Sequence, residues 1–259
     1  MDKLNHISSV VSKNFQKQIE IGSLSIFMFD RILRFQNKVV ENGHIGEIGV
    51  NLGITSGILS CYLKEKELLW LCDPYRKKEL VIETIRHFSD IDGANVIFEE
   101  LTSANADLKV LPKFEEKHRC LRFIHIDGLH SYEGVMNDLQ QTESYLTDGG
   151  VIVVDDFMCP NSACITQAVY DFIRRAHDLK MFAIANNKAY LCRVSKRSIF
   201  RSMLVTIFNN LDGYLISYQD YDNELGYISI TENKSDSKFQ IIGKRLKSLK
   251  ELQEERTSI

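Results

Sequence analysis

The spacing of apolar positions changes character near residue 40. Before it, apolar residues recur at Leu24, Phe27, Met28, Ile32, Leu33 and Phe35. That is the period of a helix with one buried face, so residues 1–40 are expected to form a helical cap. After it, short apolar runs at Gly46–Val50, Leu68–Cys72, Asn95–Phe98, Leu121–Ile126 and Val151–Val154 alternate with amphipathic stretches. Runs apolar at nearly every position suit strands covered on both faces of a parallel sheet. The stretches Gly57–Lys64, Arg76–Phe88, Ser131–Leu146 and Ala163–Leu179 carry helical spacing. Two further runs, Met181–Ala185 and Ala189–Val194, flank Asn186-Asn187-Lys188. Asparagine tolerates the backbone of a tight turn, so these two strands should be antiparallel. The pattern predicts an α/β fold over residues 41–195, with a seven-stranded, mostly parallel sheet and an antiparallel last strand.

Residues 199–259 read differently. A helical stretch, Ile199–Leu211, leads to strand-like runs at Tyr214–Tyr218, Tyr227–Thr231 and Phe239–Ile242. A polar turn over Asn233–Lys238 and a charged helix over Lys244–Arg256 complete a small α+β extension. Residues 1–20 lack the apolar core of a signal peptide, and Ile21–Phe29 is too short to span a bilayer. Six cysteines form no C-x-x-C pair, and most lie in apolar runs, as expected of small core residues in a reducing cytoplasm. The net charge of -3 gives no general attraction for nucleic acid. The basic pairs and runs at Arg174-Arg175 and Lys244–Lys250 read as solvated helix faces.

An α/β sheet presents its chemistry beyond the carboxyl ends of its strands. The first strand runs into Glu47-Ile48-Gly49-Val50-Asn51-Leu52-Gly53. Glycine permits a sharp turn and close approach of a ligand, although a plain strand-to-helix turn would use it too. The spacing is not G-x-G-x-x-G, and Glu47 beside the turn would repel a pyrophosphate. A cationic or hydroxyl-bearing ligand fits it better. The second strand ends at Asp73, roughly 20 residues past the turn, where a carboxylate can take ribose hydroxyls or cap the next helix. The third ends in Glu99, Glu100, Thr102 and Ser103, which either meet an adenine ring, with Ser103 as the candidate, or cap a helix. The fourth ends Ile124-His125-Ile126-Asp127-Gly128-Leu129-His130, and alternation places His125 and Asp127 on one side. His125 lies inside an apolar strand and reads as a core histidine. The fifth ends Asp155-Asp156. Three carboxylates at adjacent strand ends repel unless a cation joins them, and Mg²⁺ takes oxygen ligands.

Taken together, Glu47-Ile48-Gly49-Val50, Asp73-Pro74, Ile126–Val135 and Asp148–Asp156 resemble class I S-adenosylmethionine methyltransferases. The resemblance is nearest to the subgroup with macrolide-type sugar O-methyltransferases and other small-molecule enzymes. It covers residues 40–195 and is most specific over Ile126–Asp156. It implies a Rossmann-like core, an S-adenosylmethionine cofactor, Mg²⁺ and a small-molecule acceptor. It places Glu47, Gly49, Gly53 and Asp127 along the cofactor, Asp73 on its ribose, and Asp127, Asp155 and Asp156 on the metal. His130 becomes the candidate general base, with Asp127 beside the reacting atoms. Leu129 departs from the group, whose sugar-modifying members often carry an acidic residue there. The tail from residue 199 matches no known pattern, and with the N-terminal helices it is a candidate lid or homo-oligomer contact. Competing readings are an NAD-linked oxidoreductase, which the glycine spacing opposes, and a binding protein that keeps the fold without chemistry.

Overall fold

The computed structural model describes residues 2–15, 21–39, 42–91, 93–114, 118–176, 178–219 and 227–232. Helices α1 (Lys3–Asn14) and α2 (Ser23–Val39) precede the first strand, β1 (His44–Ile48). There follow α3 (Ile54–Ser60), β2 (Leu69–Cys72), α4 (Lys78–Arg86), β3 (Val96–Glu99) and β4 (Leu121–Ile126). Then come α5 (Tyr132–Tyr145), β5 (Leu146–Val154), α6 (Ala163–Arg175), β6 (Leu179–Ala185) and β7 (Lys188–Arg193). Helix α7 (Val194–Phe208) leads to the hairpin of β8 (Tyr214–Gln219) and β9 (Tyr227–Glu232).

Strands β1 to β5 pair in parallel, and β7 runs antiparallel between β5 and β6. The turn at Asn186 and Asn187 has positive φ at both residues, as the tight hairpin requires. One correction concerns the strand count. Among the described residues the sheet has nine strands, in the order β3-β2-β1-β4-β5-β7-β6-β9-β8, against the seven expected. Strand β9 pairs in parallel with β6, matching Ala183 to Ile228 and Ala185 to Ile230. Ile228 and Ile230 are buried, so β9 is an interior strand. Short alternating runs show that a strand exists but not which edge it joins. The strand-like run at Phe239–Ile242 and the helix at Lys244–Arg256 lie outside the described residues.

Two apolar layers sandwich the sheet. One face packs α1, α2, α3, α4 and α7 around Phe29, Phe123, Phe182 and Tyr190. The other packs α5 and α6 around Trp70, Phe157, Val169 and Ile173. Helices α2 and α7 meet the first layer through rings: Phe35 and Phe182 both contact Phe200, and Phe27 contacts Phe208 edge-on. Such pairs add stabilisation beyond their buried area.

Element ends differ from the expected ones for local reasons. Strand β5 begins at Leu146 and absorbs Asp148-Gly149-Gly150, ahead of the expected start at Val151. Strand β1 begins at His44, a polar residue that is fully buried because both ring nitrogens are satisfied. Nδ1 accepts the Leu68 N–H at 3.0 Å, and Nε2 donates to the Pro112 carbonyl at 2.8 Å. This arrangement fixes the neutral tautomer, and burial lowers the pKa below the ordinary histidine value. The unfolded chain therefore takes the proton first. His44 contributes stability above pH 6.5 that is lost as pH falls. Urea unfolding between pH 5 and 7.5 should show a shallower acid decline for His44→Gln than for the wild type; equal slopes would refute the assignment.

Candidate active site

The carboxyl ends of β1, β2, β4 and β5 meet at one edge of the sheet. Beyond β1 the chain turns at Gly49, with φ of +81°, and again at Gly53, with φ of +79°. Gly49 is fixed by closeness as well as by dihedral. A Cβ there would lie 1.8 Å from the Asp127 carbonyl oxygen. Asp73 shapes the same loop. Its Oδ2 accepts the N–H groups of Val50 and Asn51, each at 3.0 Å, and its Oδ1 accepts that of Tyr75 at 2.8 Å. The carboxylate reserved for ribose thus already holds three backbone donors and has one lone pair to spare.

An open cleft of about 390 Å³ lies over this loop, lined by Glu47, Gly49, Asn51, Thr55, Asp127 and Asp155 among others. Ile21, just before α2, reaches into it from the N-terminal cap. Glu47 is buried beneath the cleft, and both its oxygens are engaged. Oε2 accepts the Ser56 hydroxyl and Oε1 faces His125 Nδ1 at 3.0 Å. A carboxylate only accepts, so Nδ1 carries a proton and donates it. Ser103 opens the short 3₁₀ turn Ser103–Asn105 after β3, beside α5.

His125 is the residue that sequence reasoning placed wrongly in importance. It is a core histidine, 1% exposed and edge-on to Phe29, and it also reaches the acidic edge. Its Nε2 is buried without a hydrogen-bond partner and lies 3.5 Å from Asp155 Oδ2. His125, Asp127 and Asp155 each offer one ligand atom, all within 4.8 Å of one another. An orphaned buried imidazole nitrogen facing two carboxylates fits a divalent cation. Glu47 on the opposite nitrogen orients the ring, as carboxylates do behind histidine ligands. Asp156 turns the other way, at φ of +52°, and its Oδ2 lies 3.3 Å from His130 Nδ1. The structure thus brings Asp127 and Asp155 together with His125, and pairs Asp156 with His130.

The charges here are strongly coupled. Burial alone would lower the pKa of His125, but Asp155 and Glu47 outweigh it and raise the imidazole to about 9. Burial, then neighbouring Asp155, pushes Asp127 up to about 6, against the pull of His125 and Lys188. Burial would also raise Asp155, yet the nearby charges of His125 and Lys188 hold it well below the carboxylate range. Lys188 is the second residue missed. It is 4% exposed and forms an ion pair with Asp155 Oδ2. The register matching Val154 to Ala189 puts Lys188 opposite Asp155, a placement visible only once that register is known.

His130 stands beside Asp127, a residue that lines the cleft, and its side chain is 48% exposed. Nε2 is 3.2 Å from Asp127 Oδ1, so the ring is held between the ends of β4 and β5. Ser131 caps α5 by accepting the Gly134 N–H at 3.0 Å, which fixes the residue following His130. Leu129, its chain neighbour, is 68% exposed.

Residues 47–157 match a family model described as a methyltransferase domain. The matched segment covers 111 of the chain's 259 residues. It spans β1 to the end of β5 and contains every candidate site residue named above except Lys188. No curated protein matches the chain in sequence. Solved structures share the fold. A Corynebacterium glutamicum protein is 12% identical, with a TM-score of 0.54 over 74% of this chain and 90% of its own. The TDP-rhamnose 3′-O-methyltransferase CalS11 of calicheamicin biosynthesis is 15% identical, with a TM-score of 0.52 over 74% and 93%. The O-methyltransferase TomG from Streptomyces achromogenes, in complex with S-adenosylmethionine, is 12% identical, with a TM-score of 0.51 over 74% and 90%. The matched segment therefore sits in a Rossmann-like sheet that the C-terminal hairpin extends. No helix among the described residues is long and apolar enough to cross a membrane.

Proposed function

We propose that this chain transfers a methyl group from S-adenosylmethionine to a hydroxyl oxygen of a small molecule, with a divalent cation at the sheet edge. The observation that carries the reading is the placement of His130. It stands half-exposed between Asp156 and Asp127, and Asp127 lines the cleft floored by the glycine turn. Gly49 and Gly53 let the backbone approach the cofactor, and the N–H groups that Asp73 pins keep the loop in shape. Asp73 and Ser103 are the candidates for the ribose and the adenine, and Glu47 supports the site from below through Ser56 and His125. S-adenosylmethionine, when bound, supplies an activated methyl group, which leaves positioning and proton removal to the protein. Asp156 orients the His130 ring through Nδ1, so that Nε2 faces Asp127 and the acceptor side. Neutral His130 would accept the proton of the acceptor hydroxyl on the ring nitrogen that is not donating to a carboxylate, and Asp127 and Asp156 would stabilise the imidazolium formed.

Asp127, Asp155 and His125 would hold the cation, with Asp156 the further candidate ligand from the family pattern. When bound it supplies Lewis-acid polarisation of the acceptor oxygen, with Mg²⁺ the ion that the family resemblance implies. CalS11 and TomG are named for oxygen methylation, in calicheamicin and tomaymycin synthesis respectively, which supports a small-molecule acceptor. Six unpaired cysteines support a reducing, cytoplasmic setting.

The test is calorimetric titration with S-adenosylhomocysteine and NADH, followed by labelled methyl transfer to a panel of hydroxylated acceptors with and without EDTA. S-adenosylhomocysteine should bind and NADH should not, and transfer should fall on chelation and return with Mg²⁺. Binding of NADH alone would support an oxidoreductase instead. Cofactor binding without transfer to any acceptor would leave a binding protein, and transfer undiminished by EDTA would remove the metal.

A further inference from the structure

Both oxygens of Asp155 are occupied. Oδ1 accepts the Asp156 N–H at 2.7 Å, and Oδ2 is paired with the Lys188 ammonium. Oδ2 is also the oxygen that faces His125 Nε2 at 3.5 Å. Lys188 is 4% exposed, and Asp155 is its ion-pair partner among the described residues. A buried ammonium keeps its charge only while a partner offsets the lost hydration. Lys188 therefore has strong reason to stay on Asp155. Its place is not incidental: the antiparallel pairing of β5 with β7, closed by the Asn186-Asn187 turn, delivers it to the end of β5.

We propose that Lys188 is a built-in counter-cation that competes with the divalent ion for Asp155 and sets the affinity of the metal site. The proposal rests on the metal reading given above and deepens it. A metal can use Oδ2 only by displacing the ammonium or by sharing the oxygen with it. Either course places a positive side chain within a few ångströms of a doubly charged ion. That repulsion weakens metal binding, because a protein site screens charge less than bulk water does. The chain would then rest with Asp155 neutralised by its own side chain and take up metal weakly and reversibly. Lys188 acts through Asp155 and is a positioning residue, since nothing places it against the acceptor.

Mn²⁺ binding followed by electron paramagnetic resonance tests this without any acceptor. Lys188→Met keeps the length of the side chain and removes the charge. It should bind Mn²⁺ at least about 10-fold more tightly than the wild type, each factor of ten being about 1.4 kcal/mol. Lys188→Arg keeps the charge and should bind no more tightly than the wild type. Asp155→Asn added to Lys188→Met should abolish the gain. Circular dichroism and thermal unfolding establish that each variant is folded, and Lys188→Gln replaces Lys188→Met if the latter is not. Equal or weaker Mn²⁺ binding in the neutral variants would overturn the proposal, as would absence of binding in wild type and neutral variants alike. S-adenosylhomocysteine titration of the same samples separates the two readings. Its failure to bind any of them would strike at methyl transfer, whatever Mn²⁺ does.

Discussion

Glu67→Ala should cost about 3–5 kcal/mol of folding stability, because it strands a fully buried guanidinium. Arg122 and Glu67 are both buried, and the pairing is bidentate. Nε meets Oε1 at 2.9 Å and Nη2 meets Oε2 at 2.7 Å. The carboxylate also accepts the N–H groups of Gly43 and Lys64, and the guanidinium donates to the Gly43 and Tyr62 carbonyls. This knot ties together the segments entering β1, β2 and β4, at the end of the sheet opposite the cleft. Removing one partner leaves the other unpaired and desolvated. Replacing both, as in Glu67→Leu with Arg122→Met, should cost clearly less than the single change. Urea unfolding of the three variants measures this. A single-variant loss under about 1 kcal/mol would show that water or a neighbour compensates. Cofactor affinity per folded molecule should not change.

His130→Ala should lower the rate of methyl transfer by about 10²–10⁴-fold, the usual contribution of a positioned general base. The affinity for S-adenosylhomocysteine should move little, because His130 is not among the residues that line the cleft. His130→Gln should lose nearly as much, since an amide can still donate to one carboxylate but cannot take the proton. Asp156→Asn should fall between, because the ring loses only its orienting carboxylate. Single-turnover rates with an acceptor identified by the panel, compared with the thermal stability of each variant, separate chemistry from folding. An unchanged rate in His130→Ala would move the proton acceptor elsewhere.

The strands β2, β4 (apolar but for Arg122 and His125) and the second half of β5 were legible because burial on both faces erases alternation. The glycine turn and the acidic strand ends were legible because each lies where a strand stops. His125 was not, since one residue can be both a core filler and a reacting group. Alternation put it beside Asp127, but only packing shows that its Nε2 is left without a partner. Lys188 was hidden for a different reason. Its meaning depends on a pairing register between segments more than thirty residues apart. The joining of β9 to β6 was hidden likewise, because edge choice follows from Ile228 and Ile230 meeting a core that the local sequence does not describe.

The contact between Gly49 and Asp127 has a mechanical side. The backbone at Gly49 abuts the Asp127 carbonyl so closely that no side chain fits between them, and the Asp127 N–H is bonded to Ile48 at 2.8 Å. One strand further on, the Asp155 N–H is bonded to Ile126 at 2.9 Å. The turn under the cleft and the loop bearing His130 are therefore geared to each other. Neither can shift by much more than a bond length without displacing the other, so an acceptor that tilts the His130 loop would be felt at the floor of the cleft.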